Sequence, residues 1–332
     1  MTVVIVGGGV AGAATALALR QTGIEAEIYE AHASGGEDAG AFLTVMANGM
    51  AALDELGATA VVEAISSPAR AVSLWDAQGR HLGRRPIEGS ARSMTRAALY
   101  RALQDLAAAR GVPVHHGKRM TGALATGDGV EVSFADGSTV AGDLLVGADG
   151  IHSRTRRLID PQAPEPRHSG QHVVYGYAPG NPAGVDPDEY HMIRGSRAFF
   201  GFTVPSGDDR TWWFARIEGR PGSVAEMFRD DPVPAAAIIA ATGSDLVGGD
   251  SYDIPTTPRW HNSRLVLTGD AAHAATPAAA QGASMALEDA VALAAALREH
   301  GDPATAFAAY ESTRRRQTEE TVAASARLIS GR

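Results

Sequence analysis

Three glycines near the N-terminus have the spacing of a dinucleotide-binding turn. Gly7, Gly9 and Gly12 satisfy the pattern G-x-G-x-x-G directly after a short apolar run and directly before an alanine-rich helical pattern. In such a turn the first glycine permits a tight bend, the second lets a pyrophosphate approach the backbone, and the third lets helix and strand pack closely. We expect the N–H groups at the helix start, including those of Val10 and Ala11, to face the phosphates.

An acidic residue lies where the next strand is predicted to end. Glu30 follows Gly12 by eighteen residues and closes the strand pattern that begins at Glu25. At this position a carboxylate can accept hydrogen bonds from the ribose hydroxyls of an adenosine. Strand, helix and acid therefore fit a dinucleotide site, and a glycine-rich turn without a ligand is the alternative. The motif does not by itself separate FAD from NAD.

Two kinds of sequence pattern along the chain predict two structural units. Residues 2–30 have the pattern of one β-α-β unit, and a helical pattern at 95–110 and a buried-strand pattern at 143–147 extend it. From about Pro161 proline becomes frequent, aromatic residues cluster, and alternation predicts antiparallel strands. A buried-strand pattern at 264–268 and two long helical patterns then return to the first unit.

The predicted fold class is α/β, with a Rossmann-like nucleotide-binding domain and a mostly antiparallel β-sheet domain. The first domain is discontinuous and includes the C-terminal helices. We assign it residues 1–70, 92–160 and 263–332, and we assign the β-sheet domain residues 71–91 and 161–262.

Composition excludes several kinds of chemistry. The chain has no cysteine, so disulfides, thiolate metal sites and a dithiol redox centre are excluded, and redox chemistry must reside in a bound cofactor. The formal net charge of −9 argues against binding to nucleic acid or to an anionic membrane. The histidines lack the spacing of metal ligands, so we expect no metal. The N-terminus has no leader pattern, which predicts a cytoplasmic protein.

Two further segments carry a resemblance to a known family. They are Asp143–Arg156, which reads DLLVGADGIHSRTR, and Gly269–Gly282, which reads GDAAHAATPAAAQG. Together with the glycine turn they closely resemble the class A flavoprotein monooxygenases of the para-hydroxybenzoate hydroxylase type, which include salicylate hydroxylase-like and tetracycline-modifying enzymes. The resemblance covers essentially the whole chain. It implies the para-hydroxybenzoate hydroxylase fold, with FAD as cofactor, NADH or NADPH as co-substrate, and O2.

The resemblance also implies roles for individual residues. An arginine at the position of Arg96 contacts the FAD pyrophosphate, and Asp149 serves FAD and NAD(P)H binding. Asp270 accepts a hydrogen bond from a ribityl hydroxyl, and the segment that contains Ala41 and Phe42 runs along the isoalloxazine. Plain turns, helix caps or solvated side chains are the alternatives at these positions.

The second segment leads into a helix that should begin near the flavin. Pro277 suits the entry to this segment, and we expect the helix N-terminus at Gln281, Gly282 and Ala283 to lie near the flavin N1–C2 carbonyl. The positive end of the helix would stabilise an anion there. The family pattern is Pro-x-x-Gly-Gln-Gly, whereas here Ala280 replaces the first glycine. If this position requires positive φ, alanine carries a strain of about 1 kcal/mol.

Aromatic residues in the predicted antiparallel strands point to the substrate. In the family this sheet covers the flavin and lines the substrate cavity. Our candidates for substrate contact are Tyr177, Arg194, Phe202 and Trp213. We expect an anionic group, if the substrate has one, to meet Arg194 or Arg216; for each aromatic ring, burial in the core is the alternative. We assign no catalytic residue and interpret His273 as structural.

These observations predict an FAD-dependent, NAD(P)H-driven monooxygenase. It would hydroxylate or epoxidise a small aromatic or polycyclic substrate through a flavin C4a-hydroperoxide. The alternatives are an FAD-dependent reductase or dehydrogenase without oxygen insertion, and a non-catalytic flavin-binding protein. A halogenase is disfavoured because the chain has no Trp-x-Trp-x-Ile-Pro. The chain ends about forty residues after Asp289, which leaves no room for a further C-terminal domain and favours a monomer or weak homodimer.

Overall fold

The glycine turn follows the central strand of a parallel sheet. In the computed structural model, which describes residues 1–33, 41–219, 223–244 and 246–330, this sheet has the strand order β18-β12-β1-β2-β8. All of its pairings are parallel. Strands are numbered along the chain, and those of this sheet are β1 (Thr2–Val6), β2 (Glu25–Tyr29), β8 (Val114–His115), β12 (Leu144–Gly147) and β18 (Leu265–Leu267).

Helices pack against the parallel sheet and against one another. The apolar run of β1 is buried, as expected for a strand covered on both faces. α1 packs against α4 and α8, and α8 packs against α9. The helices are α1 (Val10–Gln21), α2 (Ala47–Glu55), α3 (Thr59–Glu63), α4 (Arg96–Ala109), α5 (Arg154–Ile159), α6 (Ala235–Thr242), α7 (Asp270–His273), α8 (Gly282–Glu299) and α9 (Pro303–Ser330), with 3₁₀ turns at Ala225–Phe228 and Pro277–Ala279.

A second, larger sheet has the strand order β17-β13-β16-β15-β14-β5-β6. Its pairings are antiparallel except that of β14 with β5. Its strands are β5 (Ala71–Asp76), β6 (His81–Pro86), β13 (Arg167–Pro179), β14 (Glu189–Arg194), β15 (Phe199–Thr203), β16 (Arg210–Glu218) and β17 (Val247–Asp253). Two small antiparallel sheets contain β3 (Phe42–Val45), β4 (Ser67–Pro68) and β7 (Arg92–Thr95), and β9 (Met120–Ala125), β10 (Val130–Phe134) and β11 (Thr139–Gly142).

This architecture confirms the predicted fold class. The parallel sheet with helices and the mostly antiparallel sheet are the two predicted units. Strands from both 71–91 and 161–262 lie in the larger sheet, while the exact domain bounds stay a prediction. No helix in the described part of the chain is both long and apolar enough to cross a membrane.

The two faces of the larger sheet have different partners. Phe202 and Trp213 lie on the face that α6 and the 3₁₀ turn at Ala225–Phe228 cover. Both rings are fully buried there, and the Trp213 indole N–H donates to the Thr242 hydroxyl at 2.7 Å. Side chains alternate between faces along a strand, so the neighbours of these rings face the other way. The prediction that Phe202 and Trp213 line the substrate cavity is therefore wrong, and both belong to a core.

Candidate cofactor and substrate site

The carboxyl ends of neighbouring parallel strands bring the predicted site residues together. β1 leads into the glycine turn, β2 into Glu30, β12 into Asp149, and β18 into Asp270. Backbone hydrogen bonds continue the strand ladders into these loops, for example from the Gly7 N–H to the Tyr29 carbonyl at 2.9 Å. In open α/β sheets this edge is where nucleotide ligands bind.

The three glycines of the turn are required for different reasons. Gly7 has a φ of +102°, and a Cβ on it would lie 2.2 Å from the Ala148 carbonyl oxygen. A Cβ on Gly12 would lie 1.9 Å from the Gly7 carbonyl oxygen. A Cβ on Gly9 would meet only the Tyr100 ring, at an ordinary 3.7 Å. The fold therefore excludes side chains at Gly7 and Gly12, whereas at Gly9 the requirement for glycine must come from something outside the protein.

The start of α1 fits a phosphate group. Gly9 is the N-cap residue, and no side chain caps the helix. The N–H groups of Val10, Ala11 and Gly12 are those that the first turn of a helix cannot satisfy internally. The helix N-terminus is uncapped, and it lies beside a glycine that the protein's own packing does not require. This combination is what a bound pyrophosphate needs.

Glu30 braces this turn. Its Oε2 accepts from the Gly8 N–H at 2.6 Å, and its Oε1 accepts from the His32 N–H at 2.8 Å. The Gln104 amide also donates to the Gly8 carbonyl. Oε1 also lies 2.7 Å from His32 Nδ1, and the buried carboxylate retains a lone pair beyond these three contacts. The predicted contact with ribose hydroxyls stays a prediction, to which the structure adds a role in holding the turn.

Arg96 lies between the two sheets. It begins α4, whose N-cap Thr95 accepts from the Ala98 N–H at 3.3 Å, and its own N–H donates to the Ala41 carbonyl at 3.1 Å. Arg96 keeps an exposed side chain although protein surrounds it on most sides, as for a side chain in a cleft. Its pKa is raised, first by Tyr100 and then by the nearby Asp270 and Tyr175. The guanidinium thus lies near both Asp270, at the start of α7, and Tyr175, on the larger sheet.

Asp270 is free to accept a hydrogen bond from a ligand. It begins α7 directly after Gly269, which has a φ of +60°. Within the described part of the chain its carboxylate accepts no hydrogen bond from a side chain or backbone group, and a Cβ on Gly282 would lie 3.9 Å from its Oδ1. The carboxylate therefore lies beside the uncapped N-terminus of α8.

The backbone before α8 has the strain that the sequence predicts. Pro277 begins a 3₁₀ turn that ends at Ala280, which has a φ of +53° and ψ of 31°. The alanine that replaces the family's glycine therefore has the left-handed geometry that favours glycine. This conformation costs alanine about 1 kcal/mol of strain. The half-buried Gln281 is the N-cap residue, and its Oε1 accepts from the Asn48 amide at 3.2 Å. Ala283 follows in the first turn of α8 and is half-buried.

Asp149 has a structural use that the sequence left as the alternative. Its carboxylate accepts from the Ser153 hydroxyl at 2.6 Å and from the N–H groups of Arg154 at 2.8 Å and Thr155 at 3.0 Å. It therefore caps α5, and its predicted role in cofactor binding stays a prediction. The buried Arg156 of the same motif donates to the Ala271 carbonyl at 3.0 Å, which fixes α5 against the turn that holds Asp270.

The other face of the larger sheet contacts Phe42 of β3, in the small sheet of β3, β7 and β4. Its ring lies 5.5 Å from Trp212, 6.1 Å from Phe214 and 6.4 Å from Tyr177, measured between ring centroids. Of the predicted substrate residues, Tyr177 and Arg194 lie on this aromatic face, Arg194 at an exposed strand end. Ala41 and Phe42 thus lie between the larger sheet and the start of α4, where the Arg96 N–H donates to the Ala41 carbonyl, while Gly40, which precedes them, lies outside the described residues.

A buried network of ion pairs supports the turn that leads into Asp270. His273 Nε2 lies 2.5 Å from Asp289 Oδ2, and Arg314 Nε lies 2.8 Å from Asp289 Oδ1. Asp289 Oδ2 also accepts from the Gly269 N–H at 2.9 Å. Burial raises the pKa of Asp289, but the interactions with His273 and Arg314 outweigh this effect and lower the pKa to about 2. Sequence reasoning interpreted His273 as structural but missed its partners; the acid pair Glu288–Asp289 inside an apolar helix was the signal.

Burial also acts on the histidine of this network. Burial lowers the pKa of His273, but Asp289 outweighs it, and the net shift is upward. Arg314 additionally donates to the Met285 carbonyl at 3.3 Å. The network therefore joins α7, α8 and α9.

In the described residues no group of three or more histidines, aspartates or glutamates is arranged to hold a metal ion.

A glycine turn, an uncapped helix start and a free carboxylate, brought together at the carboxyl ends of the parallel strands, are typical of a dinucleotide-binding protein. The family model described as FAD binding domain matches residues 1–325. The chain belongs to this family, which confirms the resemblance found in the sequence.

Curated relatives match nearly the whole chain. The aurachin C monooxygenase/isomerase of Stigmatella aurantiaca is 30% identical over 99% of this chain and 88% of its own length. The FAD-dependent urate hydroxylase of Klebsiella pneumoniae is 30% identical over 95% and 86%. A solved structure of Klebsiella pneumoniae HpxO complexed with FAD and uric acid superposes with a TM-score of 0.90 at 28% identity, over 99% of this chain and 88% of that one.

Substitution at Gly9 tests the phosphate cradle. Gly9→Ala should leave the melting temperature of the flavin-free protein unchanged, because the added Cβ meets only the Tyr100 ring at 3.7 Å. FAD affinity should fall at least about ten-fold, because the methyl group occupies the approach of the pyrophosphate. Gly12→Ala is the matched variant and should lower the melting temperature of the flavin-free protein. Unchanged FAD affinity in Gly9→Ala, measured by flavin fluorescence titration, would show that the pyrophosphate binds elsewhere.

Substitution at Asp289 tests the buried network. Asp289→Asn should lower the free energy of unfolding at pH 7 by about 3–5 kcal/mol, because His273 and Arg314 lose their shared counter-charge. The pKa of Asp289, about 2, is below its ordinary value, so its contribution is present above pH 4 and is lost as the pH falls toward 2. Denaturant unfolding between pH 7 and 3 should therefore show a shallower acid loss in Asp289→Asn than in wild type. The control is Glu299→Gln, which changes an exposed acidic residue of the same helix. An equal loss of unfolding free energy in both variants would contradict this account.

Proposed function

We propose that this protein is an FAD-dependent monooxygenase, driven by NADH or NADPH, that inserts one atom of O2 into a small aromatic or polycyclic substrate. The observation that carries the proposal is the position of Phe42, which contacts the aromatic face of the larger sheet and pairs on β3 with Thr95, the residue directly before Arg96. The relatives support the substrate class, since they include a urate hydroxylase and a 3-amino-4-hydroxybenzoate 2-monooxygenase of Streptomyces cremeus.

The residues at the sheet edge fit FAD along its length. The turn at Gly9 with the first N–H groups of α1 would hold the pyrophosphate, with Arg96 contributing its positive charge. Glu30 would face the adenosine side of the cofactor, and Asp270 would face its ribityl side. When bound, FAD supplies the redox chemistry that passes electrons from NAD(P)H to O2 and an oxygen atom to the substrate.

The chain's own residues would provide electrostatics at the flavin end. The N-terminus of α8 at Gly282 has no side-chain cap and directs a positive dipole end toward the space beside Asp270. The buried network of His273, Asp289 and Arg314, in which Glu288 also pairs with Arg314, holds the turn before Asp270 in place. The helix N-terminus favours negative charge on a group bound at that place.

The aromatic face would exclude water and orient the substrate. Trp212 is 5% exposed and packs against Phe42 and Tyr177, so one wall of the space is apolar. Burial raises the pKa of Tyr177 to about 12. Its phenol therefore stays protonated at neutral pH and can donate a hydrogen bond to a substrate oxygen or nitrogen atom. An oxygen-transfer reaction needs such a water-poor environment.

The electron donor, location and assembly are also proposals. Either NADH or NADPH is accommodated by the proposed reaction, and the resemblance places the donor at the flavin only transiently. The cytoplasmic location and the monomer or weak homodimer predicted from the sequence stay predictions.

Isotope labelling tests the proposed reaction. The FAD-loaded protein should be reduced by NADH or NADPH and reoxidised by O2, and ¹⁸O₂ should place one labelled atom in the product. Aromatic substrates for the assay are urate, 3-amino-4-hydroxybenzoate and 4-quinolones, which follow from the relatives. Without substrate, reoxidation should release hydrogen peroxide, because no acceptor takes the oxygen atom. Substrate oxidation that continues anaerobically with another electron acceptor and leaves no label in the product would instead make the protein a dehydrogenase.

A further inference from the structure

One hydroxyl group of the C-terminal helix is bonded to the strained turn before α8. Ser325 of α9 is fully buried, and its Oγ donates to the Thr276 carbonyl at 2.7 Å. The same Oγ accepts from the Ala279 N–H at 3.1 Å and lies 2.8 Å from Thr276 Oγ1. Because the single Ser325 proton is used on the carbonyl, Ser325 accepts from the Thr276 hydroxyl. The Ser325 hydroxyl therefore makes three bonds to this one turn.

The bonded atoms lie on both sides of the 3₁₀ turn that leads to Ala280. Thr276 is the N-cap residue of this turn, and Ala280 ends it with a left-handed φ of +53°. The Ala280 N–H donates to the Pro277 carbonyl at 3.2 Å, and such a 3₁₀ bond has poorer geometry than an α-helical one. Left-handed backbone is unfavourable for alanine, so this single bond is weak support. The bonds to Ser325 fix the chain directly before Ala280.

The conformation of Ala280 decides where α8 begins. Gln281 is the N-cap residue of α8, and the helix start has no side-chain cap, so its first N–H groups have no partner within the helix. A Cβ on Gly282 would lie 3.9 Å from Asp270 Oδ1, which places this helix start beside the free carboxylate. An extended or right-handed Ala280 would redirect the chain at this residue. The N–H groups therefore keep their place only while Ala280 stays left-handed.

Another buried hydroxyl of α9 behaves differently. Thr318 is also fully buried, but its Oγ1 donates to carbonyls of its own helix, those of Arg314 at 3.1 Å and Arg315 at 3.0 Å. Serine and threonine in a helix interior commonly bond back to their own helix in this way. Ser325 instead donates its proton outside α9. Its hydroxyl therefore supports the turn before α8 and not its own helix.

We propose that Ser325 is a positioning residue for the flavin. It holds Ala280 in the left-handed conformation and thereby keeps the first N–H groups of α8 in place before FAD binds. This inference rests on the proposed function, because it takes the start of α8 as the flavin end of the site. A site that is ordered in advance binds more tightly, since the cost of ordering is not deducted from the binding free energy. Loss of the Ser325 hydroxyl should therefore weaken FAD binding from outside the site.

A double-substitution cycle at positions 280 and 325 tests the inference. The dissociation constant of FAD should be measured by flavin fluorescence titration on wild type, Ser325→Ala, Ala280→Gly and the double variant. Ser325→Ala should weaken FAD binding about five-fold, because FAD must then drive an alanine into left-handed geometry. In the Ala280→Gly background the same substitution should change the affinity by less than about two-fold, because glycine adopts this geometry without strain.

A matched variant and a local measurement separate positioning from general stability. Thr318→Val removes the other buried hydroxyl of α9 and should leave FAD affinity unchanged. Amide hydrogen exchange in the flavin-free protein should become faster at Ala279 in Ser325→Ala, because this N–H loses its acceptor. Exchange at Ala279 should stay at the wild-type rate in Thr318→Val.

Two results would overturn the inference. One is wild-type FAD affinity in Ser325→Ala. The other is a loss of affinity that is equally large in the Ala280→Gly background, since Ser325 would then act only through the stability of the fold. A protein that incorporates label from ¹⁸O₂ but shows no coupling between the two positions fails only this inference, whereas a wild type that binds no FAD fails the proposed function as well.

Discussion

The contact between the start of α1 and the end of β1 sets the geometry of the whole site. The Gly7 carbonyl oxygen occupies the place where a Cβ on Gly12 would be, at 1.9 Å. Only this close approach lets α1 begin directly above the strand end with its first N–H groups directed away from the sheet. α1 is in turn the surface on which α4 and α8 pack. The positions of Arg96, at the start of α4, and of Asp270, beside α8, therefore depend on the same contact.

A second constraint holds the flavin end of the site. Asp289 receives bonds from His273, Arg314 and the Gly269 N–H, so one buried carboxylate fixes two helices and the turn before Asp270. Such a network is stable only when all its members are present, because each charge is compensated by the others. The strained left-handed Ala280 lies in the same region. The neighbouring Ala279 N–H donates to the Ser325 hydroxyl of α9 at 3.1 Å, which helps to hold this unfavourable backbone geometry in place.

Local features were predictable from the sequence, and long-range ones were not. The glycine turn, the parallel strands and the strain at Ala280 follow from short stretches of sequence whose geometry is self-contained. Two-residue alternation predicted the strands of the larger sheet, but it could not tell which face meets the cofactor, so Trp213 was placed on the wrong side. The pairing of Asp289 with Arg314, and the lack of a carboxylate partner for Arg216 among the described residues, depend on residues distant in sequence. Only the folded chain reveals them.

Relative affinity for FAD and FMN tests the central claim most directly, because the glycine turn and Glu30 address the adenosine diphosphate part that FMN lacks. Equilibrium binding of both flavins to the flavin-free protein should be measured under one set of conditions. The account predicts one FAD per chain and an affinity for FMN at least about a hundred-fold weaker, which corresponds to about 2.7 kcal/mol. Equal affinity for the two flavins, or no binding of FAD, would contradict it.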